Sequence, residues 1–418
     1  MFWALLLFEI KTRLWRLSAL CYLAVFLLFG FFISLATAGV IPGAHFSFGA
    51  SNKLCLNSPF AIHQLVAVGG YFGLLIMAPI FGQSINQDFE QRFSQVLFAT
   101  PLKKSTYFFV RYLGSAISCL VILSFIAVGN FLTTLMPFVD RAKICQAQFG
   151  FYAAPYLTDI IPNTMMFGAI FIAIAALTKR MAPVYLSSIV VFTSCLIARI
   201  ISVHADRTLS ALLDPLGLVA ANLVTRYWSI MEQSQLTVPL TDVFLYNRIL
   251  WGGLGAIILL VAYTLFDPFK LPKERALKTS APDTPSNGAL AAISLPEVKL
   301  APFSMRILWG LALSEFKLAI SNIHLRMILL CGVIFVLSTS GQVGKAFGTE
   351  TLPVTYNVLE AIDGPFQLFV IIMTTFYAGE LAWKERDAHF SELVDSKPVL
   401  SLHLYLSQLF MLFFLQIL

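Results

Sequence analysis

The sequence predicts an all-α polytopic membrane protein, and three observations carry that expectation. The 418-residue chain is 58% apolar and only 12% charged, whereas a soluble domain carries about 25% charged residues. Its charges are clustered, which leaves apolar runs of the roughly 20 residues that a helix needs to cross a bilayer. The same pattern is also written twice. Trp3, Glu9 and Lys11 precede one apolar run, and Trp309, Glu315 and Lys317 precede another in the same relative positions. Backbone groups in lipid need partners within the chain, and runs this continuous meet that need as helices rather than barrel strands.

The net charge of +6 comes from Lys and Arg at the ends of the apolar runs, where the positive-inside rule reads orientation. No basic stripe interleaved with aromatics is present, so the implied partner is the lipid bilayer and not nucleic acid. Lys11, Arg13 and Arg16 follow the first apolar stretch instead of preceding it. That order argues for a retained anchor over a cleaved signal, with the N-terminus cytoplasmic.

Residues 2–16 are apolar on one side and basic on the other, which suits a helix lying in the interface. A first span is expected at 17–40, and the Gly-, Ser-, Asn- and Pro-rich stretch 42–60 connects it to a second at 64–85. The charged segment 86–106 comes next, then a third span at 110–136 and an outer loop at 138–160 with a short interfacial helix. The fourth span, 161–178, is closed by the basic turn Lys179-Arg180. A fifth span at 183–203 leads into a long outer segment, 204–246, with helix formers enough for one or two short helices. The sixth span, 248–266, opens with Asn247-Arg248 and Trp251.

Residues 1–266 thus form a first transmembrane half. Residues 267–303 are polar, rich in Pro, Ser and Ala and without helical period, and read as a flexible cytoplasmic linker. Residues 304–418 restart the pattern. An interfacial helix at 305–320, spans at 325–343 and 364–382, a charged segment at 383–402 and the start of a ninth span near Leu404 follow in order. The first half continues for three more spans beyond the equivalent point, so the second half is expected to be truncated and the natural chain longer.

Cys21, Cys119, Cys195 and Cys331 fall in apolar spans and read as small core residues. Cys55 and Cys145 fall in two outer loops where a disulfide is chemically possible, though spacing alone does not bring their Cα atoms within bonding range. Arg199 and Glu380 lie near span ends, where a functional role and snorkelling to water are equally good readings. Asn130, Asn163 and Gln83 either line a path or join helices by hydrogen bonds.

Two segments are the candidate functional sites. In the first, Asp88, Glu90 and Arg92 alternate with Phe93 and Phe98, and Pro101 disfavours helix in the residue before it. The second repeats the pattern with Glu385, Arg386, Asp387, Phe390, Glu392 and Pro398. A short amphipathic rod with a stiff stop between two spans suits a membrane subunit that receives force from a soluble motor. One such segment alone reads better as a solvated loop. Its recurrence in the matching place, each time behind an interfacial helix bearing Glu9 and Lys11 or Glu315 and Lys317, favours the rod.

Several strings add a resemblance: NSPFAI (57–62), the DFE…FATPLKK…YFFVRYLGS run (88–115), DPLGL (214–218), TRYW (225–228), NRILW (247–251) and TFYAGELAWKERD (375–387). With these the chain resembles permease subunits of type-2 ABC exporters, whose coupling helix lies between the second and third spans. More narrowly it is similar to a bacterial branch in which two six-span halves precede an aminopeptidase-like zinc domain. The resemblance implies an exporter-like transmembrane domain in the bacterial inner membrane, with a six-span first half and a truncated second. It also implies a separate ATPase subunit that binds ATP and Mg, and pairing of halves as a pseudo-dimer or homodimer.

The chain itself departs from any catalytic pattern. None of its histidines has the HExxH spacing of a zinc site, and GQVGKA (341–346) lacks the glycine spacing and hydroxyl of a phosphate loop. No catalytic or metal-binding residue is therefore expected here. Two other classes compete with the permease. A secondary transporter built on inverted repeats fits poorly, since these repeats are parallel and midplane carboxylates are lacking. A membrane anchor or scaffold for a C-terminal peptidase-like domain fits the same strings.

Overall fold

Each apolar run folds into a helix whose ends are set by local chemistry. The computed structural model describes residues 2–42, 54–91, 93–201, 207–269, 304–340, 345–346, 349–350, 354–387 and 400–417. The chain divides into two compact units, Met1–Pro272 and Lys273–Leu418.

In the first unit α1 (Phe2–Leu14) and α2 (Leu17–Ala38) break at Trp15-Arg16, and α2 closes on Gly39 at φ 75°. A left-handed residue is cheap for glycine and lets its N–H reach back to the last turn. The third helix, α3 (Pro59–Glu90), starts where Ser58 accepts from the N–H of Ala61 and Pro59 takes the first turn. After α4 (Ser94–Ala99) comes α5 (Lys104–Thr134). Then α6 (Phe149–Pro155) runs through one π-turn, Tyr156–Ile160, into α7 (Ile161–Thr178). Pro155 and Pro162 flank that turn, and each removes an N–H from the ladder, which is where such bulges form. The unit continues with α8 (Met181–Ile201), α9 (Arg207–Leu213), α10 (Leu218–Val224), α11 (Ile230–Gln235) and α12 (Asp242–Leu265). A capping box of Ser229 and Glu232 starts α11.

Among the described residues, six helical runs of this unit are long and apolar enough to cross a membrane: α2, α3, α5, Phe149–Thr178, α8 and α12. The protein is a membrane-embedded helical bundle. The most buried runs are α3 and Phe149–Thr178; α3 packs on α5, α7 and α8, while α2 and α1 pack on α5 and α12 packs on α7. Backbones touch where α2 crosses α5. A Cβ on Gly30 would strike the carbonyl of Ile126, and one on Gly129 the carbonyl of Leu27. Without a hydrophobic drive between helices in lipid, such close approach is what holds them together.

The second unit holds α13 (Met305–Ser321), α14 (Ile323–Ser340), α15 (Thr355–Asp387) and α16 (Ser401–Ile417). Among the described residues the only strands are β1 (Lys345–Ala346) and β2 (Thr349–Glu350), paired antiparallel. The bend between α13 and α14 is 68°. Here α13 packs on α16 and α14 on α15, and the Trp309 ring meets Phe414 edge-on at 5.3 Å.

Several expected boundaries change. The second span was placed at 64–85, but its helix runs Pro59–Glu90. The eighth is expected at 364–382; its helix runs Thr355–Asp387, and among the described residues its apolar part is the shorter stretch Phe369–Ala382. The short helix expected in the outer loop 138–160 is α6, which runs on through the π-turn into α7; among the described residues of 204–246 there are three short helices where one or two are expected. The linker lies outside the described residues from 270 to 303, as do Arg92, Phe390, Glu392 and Pro398.

Candidate functional site

The expected amphipathic rod is corrected at its start. Asp88 and Glu90 do not belong to a separate helix; they form the last turn of α3, and only Ser94–Ala99 makes the short helix. The reason is a buried ion-pair network that holds Asp88 in the bundle. Arg111 of α5 pairs with Asp88, and the Tyr107 hydroxyl donates to the same carboxylate at 2.8 Å. Arg111 Nη1 also donates to both oxygens of Glu9 on α1, at 2.8 and 2.7 Å. Glu9 is 7% exposed, and one turn further on Arg13 Nε donates to it at 2.6 Å.

Two more contacts finish the joint. Arg13 donates to the Ile80 carbonyl at 2.8 Å, and Arg16 to the Gln87 side chain at 3.0 Å. Thus α1, α3 and α5 are riveted at one end of the bundle. Burial pulls the Glu9 carboxyl up, but Arg13 and Arg111 outweigh it and leave its pKa below the ordinary value of 4.5. Burial has the upper hand at Arg13, whose pKa falls despite Glu9 beside it.

The short helix α4 stands on an aromatic floor. Phe98 turns inward, edge-on to Tyr107 at 5.1 Å and 6.1 Å from Phe269. Phe266, just past α12, contacts Phe89, Tyr107 and Phe108. Lys179, which ends α7 at φ 51°, donates to the Asp267 carbonyl at 2.6 Å and lies over the Phe89 ring at 4.2 Å. Phe93, at the N-cap of α4, is 48% exposed, and Val96 within the helix is 61% exposed. Thr100 is extended, as a residue before proline must be, so Pro101 ends the helix.

The second unit repeats part of this joint. Asn322 directly precedes α14 as Arg16 precedes α2, and its amide donates to Glu380 of α15 at 3.1 Å. In both units, then, the break between the first two helices is tied to the next long one. Glu315 is half-buried, and Lys11 and Lys317 are exposed. Glu385, Arg386 and Asp387 end α15; their side chains, with that of Arg199, lie outside the described residues.

A second polar cluster occupies the opposite end of the first unit. Cys55 and Cys145 form a disulfide with Cα atoms 5.7 Å apart. Asn57 flanks it, donating to the Cys145 carbonyl at 2.6 Å and accepting from the Cys145 N–H at 2.8 Å. His63 Nε2 lies 2.8 Å from the Asp159 carboxylate. Arg248 donates to Asn163 at 2.8 Å, and Asn163 donates to the Leu216 carbonyl at 3.2 Å. Asp214 accepts from the N–H groups of Leu216 and Val219. Burial raises its pKa, and the hydrogen bonds and Arg248 only partly offset that rise. Asn247 donates to the Ala211 and Asp214 carbonyls.

The strings DPLGL and NRILW, far apart in sequence, are therefore joined by Asn247 donating to the Asp214 carbonyl, while Asn57 of NSPFAI is bonded to Cys145. Asn163 and Asn130 join helices, Asn130 by donating to Ser34 at 2.8 Å, while Gln83 is exposed. Sequence reasoning missed Tyr107, Arg111, His63, Asp159 and Arg248 as site members. The available signal was ionisable groups inside or beside apolar runs, which need partners wherever they are buried. The chain matches no protein-family profile, no curated protein and no solved structure.

Proposed function

We propose that the chain is the membrane-spanning permease subunit of an ATP-driven ABC transporter, of the type-2 exporter class, in a bacterial inner membrane. One observation carries the reading: Phe93 at the start of α4 and Val96 within it are exposed, while its two flanking helices are joined through Asp88, Arg111 and Glu9. A partner ATPase subunit, holding ATP and Mg, grips the exposed side of α4 in its own cleft. Because Asp88 belongs to α3 and Arg111 to α5, a push on α4 moves both helices together and takes α1 with them. The parallel second copy of the pattern gives the partner a second lever, near Glu385.

Co-purification from native membranes tests this. An ABC ATPase subunit is expected to accompany the chain, and Phe93→Ala with Val96→Ala to reduce its recovery at least tenfold. Finding no such ATPase, or undiminished recovery from the double variant, overturns the proposal. One observation favours a proton-coupled secondary transporter instead: the buried His63–Asp159 pair. Substrate movement in vesicles that follows a proton gradient without ATP would select that reading.

A further inference from the structure

At the α1 end the bundle holds an open cleft of about 450 Å³ whose walls mix apolar and charged groups. Exposed Phe8, Ser18, Gln83 and Phe93 line its mouth, and buried Glu9, Asp88 and Tyr107 line its floor. Three guanidinium groups, of Arg13, Arg16 and Arg111, face it against two carboxylates, of Glu9 and Asp88. Those carboxylates already have partners, Glu9 in Arg13 and Arg111, and Asp88 in Arg111 and Tyr107. The surplus positive charge rests on Arg16, whose hydrogen bond goes to the neutral amide of Gln87.

The depth of the cleft is marked independently. Trp3 near the start of α1 and Trp15 just past its end are 73% and 77% exposed, with Leu7 and Phe8 exposed between them. Exposed tryptophans beside an apolar helix face belong at the level of lipid headgroups. A cationic recess at that level, with apolar walls from Ile80, Leu97 and Ile122, complements one class of ligand. We propose that it binds an anionic phospholipid, the phosphate drawn to Arg16 and the acyl chains leaving past Phe8. A basic pocket between spanning helices is where such headgroups are held. The inference stands whether or not an ATPase docks on α4.

Native mass spectrometry of the full chain released from lipid nanodiscs tests it, with phosphatidylglycerol and phosphatidylcholine in equal amounts. The wild type is expected to retain phosphatidylglycerol about fivefold over phosphatidylcholine, the effect of one basic group near an anionic lipid. Arg16→Gln is expected to bring the ratio close to one, Arg16→Lys to keep it, and Arg226→Gln at the opposite end to leave it unchanged. Ser18→Phe alters no charge but obstructs the mouth, and is expected to lower retention even where Arg16→Gln yields no folded protein. Equal retention of both lipids by the wild type, or an unchanged ratio in Arg16→Gln, overturns the proposal. So does undiminished retention in Ser18→Phe. Displacement of the lipid by millimolar inorganic phosphate marks a site for soluble anions and overturns it as well.

Discussion

Arg111 reaches Glu9 across 102 residues of sequence and binds both of its carboxylate oxygens, at 2.8 and 2.7 Å. The same guanidinium pairs with Asp88, so one cation bridges carboxylates from two other helices. Its removal leaves both in a poorly solvated place. Arg111→Leu is expected to destabilise the first unit by about 3–5 kcal/mol. Thermal unfolding in detergent micelles reads the effect. The triple change Glu9→Gln, Asp88→Asn, Arg111→Leu is expected to cost less than Arg111→Leu alone, because no carboxylate is then stranded.

Acid should dissolve the same joint. The Glu9 carboxyl has a folded pKa below its ordinary value of 4.5, so the ionised form is the one favoured by folding. Its contribution is complete above the unfolded pKa and is lost as pH falls through the lower folded value. Melting curves of wild type and Glu9→Gln should therefore differ at neutral pH and converge below pH ~4. A gap that persists into strong acid would show that Glu9 acts through packing and not charge.

Gly217 sits at φ 80°, and a Cβ there would land on the Arg248 guanidinium. Gly217→Ala bears the left-handed penalty of about 1–2 kcal/mol, and the displacement of Arg248 from Asn163 adds to it. Gly252 in α12 has nothing within 4 Å of the same position. Gly252→Ala is expected to be stabilising by about 0.5–1 kcal/mol. The two variants should shift the melting temperature in opposite directions.

Phe98 and Val96 lie in the same short helix with different duties. Phe98 meets Tyr107 and Phe269, and each aromatic pair contributes about 0.5–1.5 kcal/mol. Phe98→Ala is expected to speed amide exchange across Ser94–Ala99 about tenfold or more, whereas Val96→Ala leaves it near wild type. Equal exchange in both would mean that α4 is held by its flanking turns and not by the aromatic floor.

The Cys55–Cys145 bond closes 90 residues of chain at the end of the bundle opposite Glu9. In oxidised cells an impermeant maleimide should fail to label either residue, and after an impermeant reductant it should label both. Cys119 and Cys195 are buried and should stay unlabelled throughout. Labelling of Cys55 and Cys145 without reductant would exclude the bridge.

Much of the bundle was legible because apolar runs of span length have one good solution in lipid. The bounds of the first span, of α1 and α13, and of the basic turn at Lys179 lie within a few residues of where composition and caps put them. The ends of α3 were not legible. Residues 86–90 are polar and charged and read as solvated, yet Asn86, Asp88 and Phe89 are buried because partners on α5 and near α12 receive them. The candidate lever was legible in place but not in construction, since Pro101 marks its end in the sequence and nothing local marks its start.

From the chain of letters alone come the helical membrane-embedded class and the approximate spans of the first unit. These rest on hydrophobicity and backbone satisfaction, which act within a run of twenty residues. Which charges are matched is another kind of fact. That Glu9 finds Arg111, His63 finds Asp159 and Arg248 settles beside Gly217 was decided by tertiary structure, because a buried ion is stabilised by whatever lies within a few ångströms in space. Separation along the sequence carries no information about that distance.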